Sequence, residues 1–337
     1  MTVQSQEINY KGRWVSVPCV RVGNKTVIVT GHWIRGASVY DEDWLEAEAV
    51  DNPENFLAQI KSEGLKADYF TFGQRLPNTT PRFNFHMEWD NVAAIPVTSF
   101  EDWWQKRLSR KSRQEVTRSE RLGITVKTVS FDDNFIGDIV KLFSEIPLKQ
   151  GMPFAHFGKD FSAVKRDLSS YVDRSQFVGA YCDNKLVGYL KLVLMGKNAS
   201  ILNILANDAY FDKRPTNALI AEAVRICEQK NLFFLQYGKF IYGNKTKSTL
   251  GEFKRRNGFE KIELPKYFIP LSLRGRVILK LKLHRGMVGI LPQRLIEPLL
   301  KLRSGVYRHL LLPLGLSKGS PQQVSVQSQG QAGDESV

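Results

Sequence analysis

The sequence predicts an α/β fold in which a mixed sheet is flanked by helices. Three observations point there. From Gln176 onward, three apolar strands follow one another across short turns. They give way to a helix, a strand, a second helix and a final strand ending at Pro270. Upstream of them, a β-like opening is followed by helices with clear start and stop signals, so strands and helices mix along most of the chain.

The chain has 337 residues, 42% hydrophobic and 11% aromatic, which supplies a substantial core and excludes wholesale disorder. A formal net charge of +14 favours anionic partners: nucleic acid, phosphorylated or nucleotide-linked substrates, or an acidic membrane surface. Cys19, Cys182 and Cys227 form no C-x-x-C pair, which excludes a disulfide framework and a zinc site and suits a reducing compartment. The five histidines show neither H-x-x-x-H nor H-E-x-x-H, so no metal is expected. The opening lacks the basic-then-apolar pattern of a secretory signal, and no apolar run approaches the roughly 20 residues that span a bilayer. The expected location is the cytoplasm, either free or attached peripherally at the inner face of the membrane.

In chain order, residues 1–10 read as a tail. "WVSVPCVRV" and "KTVIVTGHWI" flank Gly23-Asn24, a hairpin signal. "DEDWLEAEAV" and "NPENFLAQIKSEG" read as helices, the second with Asn52 as cap, Pro53 in its first turn and Gly64 as its stop. "ADYFTFGQR" and "NVAAIPVT" are strand candidates. One long helix is expected from Ser99 to Gly123, with Glu101 and Asp102 at its positive end. "ITVKTVS" follows as a strand, then the helix "FIGDIVKLFSEI" and the loop "PLKQGMPFAHFGKD". "QFVGAYC", "LVGYLKLVLM" and "ASILNILA" form the meander; "RPTNALIAEAVRICEQKN" is a helix with Pro215 in its first turn; "LFFLQYGKFI" is an apolar strand. Residues 317–337, rich in Ser, Gln and Gly, read as a disordered tail.

The closing stretch "GEFKRRNGF" resembles the last helix and turn of the GNAT acyltransferase superfamily, matching its Phe at Phe253 and its Gly-Phe at Gly258-Phe259. Lys254 falls where acetyl-CoA members commonly carry a proton-donating tyrosine. A lysine there, with Phe253 and Gly258, is similar to the F-K-x-x-x-G ending of the FemAB-type branch, peptidoglycan aminoacyl transferases and their relatives. "WWQKRLSRKSRQEVTRSERLGITV" is similar to the basic helix and following strand of such chains. The resemblance implies a GNAT-like domain over 124–270, preceded by an α/β region over 11–123; FemAB-type proteins pair two such domains in tandem, and the residues leave open whether 11–123 is a degenerate first copy. In acetyl-CoA members a glycine-rich loop at a helix start holds the pyrophosphate, because glycine lets backbone N–H groups approach the anion. Here "FDKRPTNALIAEAV" has no glycine, though Lys213 and Arg214 precede the helix as cofactor-binding candidates. The acyl donor is accordingly expected to be a co-substrate, either aminoacyl-tRNA or acyl-CoA, with no permanently bound cofactor.

Acyl transfer needs a deprotonated amine, a stabilised oxyanion and a departing leaving group. Lys254 can supply charge to the oxyanion or a proton to the leaving group, against the plainer reading of a solvated helix residue. Tyr237 and Tyr242 close the central apolar strand, where clefts open, and are acid or orienting candidates against half-buried packing. Asn203, inside an apolar strand, must find a partner or face substrate. His156, in the two-glycine loop, is a base candidate against an ordinary polar loop residue. Arg110, Lys111 and Arg113, on the basic helix with Lys106, Arg107 and Arg121, are candidates for substrate phosphates or tRNA, against a solvated face. Residues 271–316 are basic and apolar, with Glu297 the sole acid between Leu271 and Leu316; this suits docking on an anionic membrane face, or covering the sheet.

These readings lead to an N-acyltransferase moving an acyl or aminoacyl group onto an amine of a cell-envelope or polysaccharide precursor, the acceptor being what the resemblance implies. The alternatives are an acyl-CoA-dependent N-acetyltransferase acting on a small molecule or sugar amine, and a non-catalytic membrane- or RNA-binding module.

Overall fold

The computed structural model describes residues 3–10, 13–40, 50–149, 152–242 and 248–285. They fall into two compact units, one of residues up to Val92 together with those from Ile262, the other of Ala93–Lys261. All of the helix expected over 41–50 but its last residue, and the tail over 317–337, lie outside the described residues, as does most of the basic 271–316 segment.

In the first unit, β1 (Gln4–Tyr10), β2 (Arg13–Val22), β3 (Lys25–Thr30) and β4 (Gly36–Val39) form an antiparallel meander. The expected tail over 1–10 is therefore corrected: its strand Gln4–Tyr10 pairs position by position with β2, from Gln4 against Cys19 to Tyr10 against Arg13. The Gly23-Asn24 hairpin forms as read, with Gly23 at φ 60, and links β2 to β3. Helix α1 (Pro53–Ser62) starts where Asn52 accepts from the Asn55 amide at 3.1 Å. β5 (Tyr69–Gly73) then runs parallel to β4, and β6 (His86–Pro96) follows. Val20, Val27, Val29, Ile60, Phe70 and Phe72 form the core, the alternate residues of each strand facing inward.

The long helix expected over 99–123 is broken. Ser99 caps α2 (Phe100–Asp102), which runs into a π-helical turn at Trp103–Arg107. Leu108 is extended (φ −73°, ψ 129°), and the Ser109 hydroxyl then starts α3 (Arg110–Arg121) by accepting from the Ser112 amide at 3.1 Å. Ser109 competes for backbone donors as caps do, so the helix restarts there. The basic residues before and after the break therefore share no single helical face.

The rest of the second unit comprises β7 (Ile124–Val129), α4 (Asp133–Ser144), the small hairpin of β8 (Leu148–Lys149) and β9 (Met152–Pro153), α5 (Phe161–Leu168), β10 (Ser175–Cys182), β11 (Lys185–Met195), β12 (Asn198–Ala206), α6 (Pro215–Gln229), β13 (Phe234–Gln236) and α7 (Thr249–Arg256). Its strand order is β6-β13-β12-β11-β10-β7. Only β12 and β13 are parallel, and they pair over just three positions, Asn198–Ser200 against Phe234–Gln236. Beyond Ser200, β12 continues to Ala206 along β11, while Gly238 turns the other chain away at φ 56. The two strands thus part at their carboxyl ends. Helix α6, buried along most of its length, packs on β7, β10, β11 and β12.

The last strand, β14 (Glu260–Pro270), departs from the expected 124–270 domain. Lys266 to Pro270 pair with Gly73 to Tyr69 of β5, so the described residues from Ile262 to Arg285 complete the first unit, whose order is β1-β2-β3-β4-β5-β14. Conversely, Ala94–Pro96 of β6 pair with β13 in the second unit. Helix α8 (Leu273–Lys280) follows β14.

Candidate active site

The site forms where β12 and β13 separate, the place where clefts open in α/β sheets. Helix α7 begins at Ser248, whose hydroxyl accepts from the Gly251 amide at 2.9 Å, and carries Lys254 on its inner side. Lys254 is fully buried. Its ammonium donates to the carbonyls of Tyr237 at 2.5 Å and Lys239 at 2.7 Å, both in the segment leaving β13. It also lies 4.4 Å from the ring centroid of Tyr237 and 5.1 Å from that of Tyr242, within cation–π range. Burial pulls its pKa down to about 7. Burial pushes the Tyr242 phenol up to about 12, opposed by the Lys239 backbone, and raises that of Tyr237 further. Near neutral pH both phenols keep their protons, and the charge that titrates is the Lys254 ammonium.

The Gly-Phe turn holds α7 in this pose. Gly258 has φ +84, and a Cβ there would lie 2.8 Å from Nε1 of Trp103. That indole N–H donates to the Asn257 carbonyl at 3.0 Å, and the Asn217 side chain of α6 donates to Oδ1 of Asn257 at 3.1 Å. Glycine is required here by both conformation and space.

Three of the four proposed catalytic side chains, Lys254, Tyr237 and Tyr242, are thus brought together. His156 is not among them. It is buried against the rings of Phe143 (4.9 Å between centroids) and Phe154 (5.2 Å), in the core formed by α4 and α5. Burial, with Lys159 adding to it, holds its pKa down to about 4. Its aromatic neighbours explain the position as packing.

The basic candidates divide. Arg110 and Lys111 are exposed in the first turn of α3. Arg113 turns back, and one guanidinium nitrogen donates to the carbonyls of Trp104 (2.7 Å), Gln105 (3.0 Å) and Leu108 (3.0 Å). It satisfies the carboxyl end of the π-helical turn, which corrects the reading of Arg113 as a phosphate ligand. Lys213 donates to Sγ of Cys182 at 3.0 Å. Arg214 stacks on Phe211 at 4.2 Å and lies 3.7 Å from Glu115. Arg214 itself adopts the left-handed conformation, φ 57, just ahead of α6, where a glycine would sit without strain. Both cofactor-binding candidates are therefore already engaged within the second unit.

Asn203 is half-buried on β12, opposite Lys191 of β11. Lys191 was not singled out from the sequence. It is fully buried, donating to the carbonyls of Leu168 (2.8 Å) and Ser170, and burial lowers it to about 7. A lone lysine in the apolar run "LVGYLKLVLM" was the available signal. In the first unit, His86, Glu88 and His284 bring metal-ligand types of atom within 4.8 Å of one another. Arg285 occupies both carboxylate oxygens of Glu88, at 3.1 Å from Nε, so the group is an ion-paired clasp on the turn after α8.

No known family profile matches the chain. Spermidine N(1)-acetyltransferase of Thermoplasma acidophilum is 26% identical over 102 residues, covering 28% of this chain and 61% of that protein; the chain thus spans about three-fifths of this relative's length. Among solved structures, the C-terminal domain of a putative lysylphosphatidylglycerol synthetase from Agrobacterium fabrum matches with a TM-score of 0.51 at 14% identity, over 79% of this chain and 88% of that one. FemX matches with a TM-score of 0.52 at 9% identity, over 83% and 91% of the two chains. The fold is that of GNAT acyltransferases. FemX is among its structural neighbours.

Proposed function

We propose that this chain is an N-acyltransferase that moves an acyl or aminoacyl group from an activated carrier onto a primary amine, with Lys254 and Tyr242 at its reaction centre. The observation that supports it most is the buried ammonium of Lys254, fixed on the Tyr237 and Lys239 carbonyls where β12 and β13 part. The amine nitrogen attacks the carrier's acyl carbonyl carbon. A C–N bond forms and the carrier's C–S or C–O bond breaks; the amine gives up one proton and the leaving group takes one. The positive charge of Lys254, acting in a low-dielectric setting, stabilises the negative charge that develops on the carbonyl oxygen. Tyr242, which holds its proton to about pH 12, is the acid that serves a strongly basic leaving group.

The donor has two readings. An aminoacyl carrier is supported by the lysine in place of the superfamily's tyrosine and by the engaged state of Lys213 and Arg214 at the start of α6. Acyl-CoA is supported by the acetyltransferase relative. The acceptor class we propose is an amine of a cell-envelope or polysaccharide precursor, following the FemAB-type resemblance. Calorimetric titration with acetyl-CoA, palmitoyl-CoA and aminoacyl-tRNA discriminates the donors: saturable CoA binding selects the second reading, and tRNA binding without CoA binding selects the first.

A further inference from the structure

We infer that α8 is a docking surface for an anionic lipid bilayer. The helix has two faces. Gly275, Ile278 and Leu279 are buried, and the first of them presses so closely on its neighbours that a Cβ would sit 1.8 Å from the Asp68 carbonyl oxygen. The opposite face presents Leu273, Val277 and Leu281, spaced four residues apart and therefore aligned in one stripe. They are 76%, 55% and 59% exposed. Ordinary packing leaves single apolar residues in water; three in register on one short helix form a patch.

Charge surrounds the stripe. At 100° per residue, Arg276 and Lys280 fall along one edge and Arg274 along the other, all exposed, with Lys282 beyond the end. From Leu271 to Arg285 there are five Arg or Lys residues and no Asp or Glu. Trp33, 75% exposed, lies beside the helix with the Arg274 guanidinium 5.7 Å from its ring centroid. An apolar stripe between basic edges, with an exposed indole alongside, is the arrangement that sits at the headgroup boundary of a bilayer. A protein partner would need acidic groups placed to match; a sheet of anionic headgroups matches without such placement. This inference is independent of the acyltransferase reading.

The test is sedimentation of the full chain with phosphatidylcholine vesicles and with vesicles of phosphatidylcholine and phosphatidylglycerol at three to one, at low and high salt. The expected result is binding to the anionic vesicles only, weakened by salt. The double variant Val277→Glu, Leu281→Glu should lower that binding at least tenfold, and Arg276→Glu with Lys280→Glu should do the same, while Phe233→Glu in the other unit leaves it unchanged. Circular dichroism checks that each variant is folded. Failure to bind anionic vesicles, or binding that both α8 variants leave intact, overturns the proposal. So does a dimer in light scattering that Val277→Glu dissociates, since a second copy would then be the occupant.

Discussion

The ammonium of Lys254 lies 2.5 Å from the carbonyl oxygen of Tyr237 and 4.4 Å from the centroid of the same residue's ring. One side chain therefore ties α7 to the chain leaving β13 by two kinds of contact. With Lys239 as second acceptor, the lysine fixes the segment that forms one wall of the opening between β12 and β13. Removing it leaves two buried carbonyls without that donor. Lys254→Met is expected to cost about 1–3 kcal/mol of stability and to abolish transfer. Urea unfolding and a turnover assay on the same preparation read the two effects separately. Lys254→Arg should recover part of the stability and little of the activity, because a planar guanidinium cannot reproduce the ammonium's placement.

The two buried lysines make stability depend on alkaline pH. In the folded chain Lys254 and Lys191 are held down to about 7, against 10.5 for an ordinary lysine. Between those values the unfolded chain binds more protons, so stability rises with pH across that window. The urea midpoint should increase from pH 7 to pH 10, and Lys191→Met should flatten the increase. An unchanged slope in that variant contradicts the assignment.

Arg113 separates structure from binding. Because one nitrogen serves the carbonyls of Trp104, Gln105 and Leu108, Arg113→Ala should lower stability by about 1–3 kcal/mol. Arg110→Ala, at an exposed site, should leave stability within experimental error. A substrate KM raised by Arg113→Ala with no stability loss would restore the phosphate-binding role.

Acid acts through the clasp on the turn after α8. Burial alone would raise the Glu88 carboxyl, but hydrogen bonds from His284 and Arg285 outweigh it and hold the group down to about 2, against 4.5 normally. Its contribution is present above pH 4.5 and is lost as pH falls towards 2. Glu88→Gln should remove that part of the acid limb of stability, measured by urea midpoints from pH 5 to pH 2.5.

Gly275→Ala tests how closely α8 is seated. With a Cβ placed 1.8 Å from the Asp68 carbonyl oxygen, backbone must move. The substitution should lower the thermal midpoint, while Gly137→Ala, where nothing lies within 4 Å, should not.

Much of this was legible from local signals. The meander of β10 to β12, helix α6 with Pro215 in its first turn, and the Gly-Phe turn after α7 follow from apolar periodicity and turn chemistry. Lys254 stood out because its neighbours on both sides carried the pattern. What escaped was non-local. The polar "QSQEINY" becomes a strand only because β2 offers it a ladder. β14 reads the same whichever sheet receives it, so its pairing with β5 left no trace in its residues. The break at Leu108-Ser109 was masked by strong helix formers on both sides. His156 reads as polar until Phe143 and Phe154 close on it.

The most direct test of the central claim is amide formation by the purified chain. Labelled acetyl-CoA, palmitoyl-CoA and aminoacyl-tRNA would each be offered with a panel of primary amines, including amino sugars and envelope precursors. The prediction is transfer from one donor class, reduced at least a hundredfold in folded Lys254→Met, lowered in Tyr242→Phe and unchanged in Phe233→Glu. Transfer that persists undiminished in Lys254→Met, or transfer from no donor to any amine, contradicts it.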